Sequence, residues 1–60
     1  MLRIKELREK RGMSQEELAK KSGVSRTTIS KLESGAETVA KTTTLGKIAE
    51  ALSVSVDKIF

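Results

Sequence analysis

Sixty residues with twelve Lys and Arg, eight Asp and Glu, and neither Cys nor His exclude a disulfide framework, a cysteine-held zinc and histidine acid-base chemistry, so neither metal nor cofactor is expected. A chain of this length is expected to make one domain over residues 1–60, with a small core and no room to enclose an enzyme's pocket. Charge is uneven: residues 1–31 hold nine Lys and Arg against four acids and residues 32–60 three against four, so the first half carries the basicity behind a pI of about 9.8, as a face turned toward a polyanion would.

The opening MLRIKELREK lacks the apolar region of a secretory signal, and no run approaches membrane-spanning length. A cytoplasmic protein without membrane contact is expected. Leu2 to Arg11 reads as a first helix, with Ile4 and Leu7 as its apolar stripe, Arg8 beside them and Gly12 ending it. Met13 is expected to pack against Leu18 as a hydrophobic staple just ahead of Ser14.

Ser14 and Glu17 have the S-x-x-E spacing of a capping box, which starts a second helix near Gln15. Leu18 and Ala19 give that helix its buried side. Gly23 is expected to end it with positive φ, and Val24 to plug the turn. Ser25 then caps a third helix, Arg26 to Glu33, whose Ile29 and Leu32 point inward. Counted from Gln15, small Ala19 is fifth, Gly23 ninth and branched Ile29 fifteenth. That spacing lets two helices approach, turns the chain, and locks the second helix onto the first: a helix-turn-helix.

With Ile29 and Leu32 inward, the opposite face holds Arg26, Thr27, Ser30 and Lys31. A helix fits the major groove and presents its N-terminal residues to base edges. Arg26 can donate to a guanine's O6 and N7 together, Thr27 can offer a methyl to thymine, and Lys31 reaches a base or the backbone. Thr28 beside this face is assigned to a phosphate, as are Ser30 and the cap residue Ser25. The bland alternative is a solvated polar face.

After Gly35, residues 36–41 show no periodicity, and Thr42 to Thr44 offer a cap. Ser34, Thr38 and Lys41 are candidate backbone contacts in this connection. From Leu45 the stripe Leu45, Ile48, Ala49 and Leu52 predicts a helix of about ten residues, in which Gly46 is either a weak point or a site of close packing. Ser55 is expected to cap a last short helix bearing Asp57, Ile59 and Phe60. Val54 and Val56 alternate as a strand would, without a partner strand.

Gln15, Leu18, Ala19, Gly23, Ser25, Ile29, Leu32, Glu33 and Gly35 together resemble the Cro and phage-repressor type of helix-turn-helix domain, the XRE family, over Ile4 to Phe60. The resemblance implies a lambda-repressor-like, all-α bundle of five short helices that binds double-stranded DNA and regulates transcription, with repression as the expected sign. It implies that Arg8 pairs with Glu33 and that Gln15 touches the DNA backbone. It also implies that the C-terminal helix and the preceding loop form a two-fold dimer on a near-palindromic operator, although Ile59 and Phe60 would equally serve to close one subunit's core. The chain departs from the family in lacking a Pro after Gly35 and in placing Ser53 where Gly is usual. An antitoxin that also holds a toxin, and a protein-interaction module built on the same bundle, are the alternatives.

Overall fold

The computed structural model describes residues 2–35 and 41–60. Among them are four α-helices and one 3-10 turn, with no strand: α1 Ile4–Lys10, α2 Gln15–Ser22, α3 Arg26–Ser34, α4 Thr42–Ala51, and the turn Val56–Lys58. The all-helical expectation holds. Only the fifth helix falls short, since the C-terminal segment closes as a single 3-10 turn and Ser55 makes no side-chain cap there.

The second and third helices lie where their caps place them. Ser14 Oγ accepts from the Glu17 amide at 3.0 Å while a Glu17 carboxylate oxygen accepts from the Ser14 amide at 3.1 Å, so both bonds of the capping box are present. Gly23 ends α2 with φ 72° and donates its amide to the Ala19 carbonyl at 2.9 Å. Such a conformation crowds any side chain bearing a Cβ, which is why glycine holds the elbow. Buried Val24 follows, and Ser25 Oγ accepts from the Thr28 amide at 3.2 Å to begin α3. One unforeseen residue secures the turn: buried Ser22 accepts the Val24 amide on its Oγ at 3.2 Å.

The core is built from every helix. Ile4, Leu18, Ile29, Ile48, Leu52 and Ile59 are fully buried, and Val24, Leu32, Leu45 and Ala49 join them. Burying each large aliphatic side chain contributes about 1.5–3 kcal/mol. Met13 and Ala19 pack partly buried against this cluster, as do Leu2 and Leu7. α2 lies against both α3 and α4, α1 against α3, and α4 against the C-terminal turn. The Arg3 amide donates to the Ile59 carbonyl at 2.6 Å, which ties the first residues to the last.

Several boundaries differ from expectation for identifiable reasons. α1 is shorter than Leu2 to Arg11 because Arg3 supplies no side-chain cap and Arg11 already occupies the C-cap. α4 starts at Thr42 with Lys41 at its N-cap, so the threonines form its first turn and do not cap it. Gly46 lies within α4 with open space where a Cβ would stand, so no neighbouring helix requires glycine there. At the C-terminal end of α4, Ser53 adopts φ 57°. The Ser53 amide donates to the Glu50 carbonyl and the Val54 amide to the Ala49 carbonyl, both at 3.0 Å, a helix-ending arrangement that favours glycine. Of the irregular connection expected over 36–41, residues 36–40 lie outside the described residues.

Candidate nucleic-acid interface

α3 turns its two faces as its sequence requires. Ile29 and Leu32 are buried, while Arg26, Thr27, Ser30 and Lys31 are exposed and Thr28 is half-buried. Arg26, Thr27, Ser30 and Lys31 share one shallow groove with Gln15 from the start of α2. The helix-turn-helix geometry therefore gathers five of the expected contact residues on one surface, although Gln15 and Lys31 are far apart in sequence.

Electrostatics distinguish the two helix starts that border this groove. α3 has no acidic residue in its first turn, so Arg26 adds to the positive end of the helix dipole. α2 carries Glu16 and Glu17 in its first turn, which offset its dipole. Ser25 uses its hydroxyl twice within the protein: it accepts the Thr28 amide and donates to Thr28 Oγ1 at 2.8 Å. The Thr28 hydroxyl hydrogen thereby stays available to an outside acceptor. Ser34 Oγ donates to the Lys31 carbonyl at 3.2 Å. Lys41 is exposed at the N-cap of α4, and Thr38 lies outside the described residues.

Behind the groove sits a fork of charged bonds. Arg8 Nε donates to Glu33 Oε2 at 2.8 Å and Nη2 to Oε1 at 3.2 Å, with the two side chains 11% and 4% exposed. A third guanidinium nitrogen, Nη1, donates to the Met13 carbonyl at 2.6 Å, just ahead of the Ser14 cap. The Arg8–Glu33 pairing thus exists, and the same guanidinium ties the residue ahead of the Ser14 cap to α1. The hydrogen bond to Glu33 raises the Arg8 pKa, and burial opposes it. Gln15 Nε2 completes the cluster by donating to Glu33 Oε1 at 3.0 Å, a link between residues 18 apart that no local spacing announces.

Ile59 is fully buried and closes the core, whereas Phe60 is 62% exposed. Among the described residues there is no group of His, Cys, Asp or Glu able to hold a metal, and no helix is long and apolar enough to cross a membrane. Comparison with curated proteins and with solved structures finds no match. A family model described as helix-turn-helix matches residues 4–59, nearly the whole chain. A family match of that extent, over a chain whose Gly23 elbow joins two capped helices, makes this protein a member of the XRE-type helix-turn-helix family of DNA-binding domains.

Proposed function

We propose that the protein is a sequence-specific regulator of transcription, acting as a repressor, which inserts the N-terminal end of α3 into the major groove of double-stranded DNA. The observation that carries this reading is the exposed set Arg26, Thr27, Ser30 and Lys31 sharing one groove with Gln15 on the basic half of the chain. Arg26, Thr27 and Lys31 read bases. Gln15, Ser30, Thr28, Ser34 and Lys41 face the backbone, with Thr38 assigned there from sequence alone. Ser25 belongs with these by position, and its two bonds to Thr28 make it the residue that orients the Thr28 hydroxyl toward a phosphate.

The molecule acts in the cytoplasm as one domain, without a cofactor or catalytic step. A second copy joins at the C-terminal end, where exposed Phe60 supplies an apolar anchor. A two-fold dimer of this kind requires half-sites one helical turn, about 34 Å, apart.

Titration of the protein against duplex DNA at two salt concentrations tests the reading. If Arg26, Lys31 and Lys41 each displace about one counterion on entering the DNA's charge field, each protomer's affinity falls roughly fortyfold when salt rises fourfold. Salt-independent association would instead mark a protein-interaction module.

A further inference from the structure

The surface assigned to DNA continues onto α1. A second groove meets the first across Gln15 and Ser30, which line both, and is completed by Lys5, Arg8, Glu33 and Ser34. Three of these six, Gln15, Ser30 and Ser34, already stand among the proposed backbone contacts. Arg8 and Glu33 offset one another there: the carboxylate accepts two guanidinium bonds at 2.8 and 3.2 Å, and its side chain is 4% exposed. The charge that remains in the groove is that of exposed Lys5. That charge does not serve α1. Lys5 lies in the first turn of the helix, where the positive end of the dipole disfavours a cation. Among the described residues the ion pairs are Arg3–Glu6 and Arg8–Glu33, and Lys5 is in neither. Three residues ahead of Arg8, it shares that residue's face of the helix, about one turn nearer the start.

We propose that Lys5 is a DNA-backbone contact made by α1, its ammonium neutralising a phosphate of the strand that passes Ser30 and Ser34. The inference rests on the DNA-binding reading and extends the footprint from the helix-turn-helix to the first helix. α3 is then held at both ends, by Arg26 at its N-terminus and by Lys5 beside Ser34 near its C-terminus. A phosphate fixed there sets how α3 lies along the major groove and carries no sequence information itself. The flexible stem and point charge of a lysine suit that task, which needs no fixed fork of donors.

The test is salt titration of the 60-residue chain on a duplex selected by the wild-type protein, with Lys5→Gln, Lys5→Arg and Lys47→Gln alongside. Lys47 is exposed on α4 and lines a separate groove with Lys21 and Ser53, so Lys47→Gln matches the change in net charge away from the proposed contact. Lys5→Gln is expected to lower the slope of log affinity against log salt by about 0.9. Its loss on a fourfold rise in salt is then about 3.5-fold smaller than that of the wild type, with base preferences unchanged. Lys5→Arg and Lys47→Gln should keep the wild-type slope. Duplexes bearing one uncharged methylphosphonate locate the contact: at one position the wild type loses about two- to fivefold in affinity, and Lys5→Gln loses nothing more. A wild-type slope in Lys5→Gln, an equal fall in Lys47→Gln, or losses that add at every methylphosphonate would overturn the proposal. Lys5→Gln should also melt no lower than the wild type, and a lower melting temperature would make Lys5 a structural residue instead. Wild-type association that ignores salt would remove the DNA-binding reading itself, an outcome distinct from a salt-dependent wild type that Lys5→Gln leaves unaltered.

Discussion

Glu33→Ala is the most informative single change to stability. It removes the acceptor of three hydrogen bonds, two from Arg8 and one from Gln15, and leaves Arg8, whose side chain is 11% exposed in the intact pair, without a counter-charge. Breaking a desolvated ion pair from one side costs about 3–5 kcal/mol. A 60-residue domain has only about 3–9 kcal/mol in total, so the loss is a third of the stability or all of it. The melting temperature should fall by roughly 12 °C or more, read by far-ultraviolet circular dichroism and by urea denaturation. Arg8→Met combined with Glu33→Leu removes both charges and their desolvation together, and this double variant should be more stable than either Arg8→Met or Glu33→Leu alone. Because the hydrogen bond to Glu33 raises the Arg8 pKa, the guanidinium's share of the pair's stability is present below its unfolded pKa and is lost as pH climbs through the higher folded value. It therefore persists at neutral and mildly alkaline pH. Single variants that lose less than about 1 kcal/mol, or a double variant that loses the sum of the singles, would refute the reasoning.

Changes at three further positions probe local structure by the same denaturation measurements. Gly46→Ala places a methyl in open space within α4 and should stabilise by about 1 kcal/mol; a loss would mean the backbone there is constrained. Ser53→Gly relieves a side chain held at φ 57° and should be neutral to stabilising by about 0.5 kcal/mol, the relief being partly offset by a freer unfolded chain, whereas Ser53→Val should destabilise. Ser14→Ala removes one bond of the capping box and should cost about 1 kcal/mol, with an unchanged midpoint counting against the cap's importance.

Where structure is specified locally, the sequence made it legible. Ser14 with Glu17, Gly23 and Ser25 lie within a few residues of the groups they bond, so the start of α2, the elbow and the start of α3 all follow from spacing. The α4 stripe was equally readable, but its start was not: Thr42 to Thr44 suit a cap or a first turn, and packing of Leu45 decides the matter. The final turn was overread because Val56, Asp57 and Lys58 allow one turn of either helix type, and the burial of Ile59 stops it there. At the interface, the outward face of α3 followed from helical periodicity. The bond from Gln15 to Glu33 did not, because it depends on how three helices come together. Arg8 with Glu33 was foreseen only through the family resemblance, for nothing in their spacing brings residues 25 apart into contact.

Selection of bound sequences from a random duplex library, run in parallel with wild-type protein and the Arg26→Ala, Thr27→Ala double variant, addresses the central claim most directly. The account predicts a near-palindromic wild-type motif and altered or lost preference at particular base pairs in the variant, with both proteins folded. An identical motif from both, or enrichment of no motif by the wild type, would contradict it.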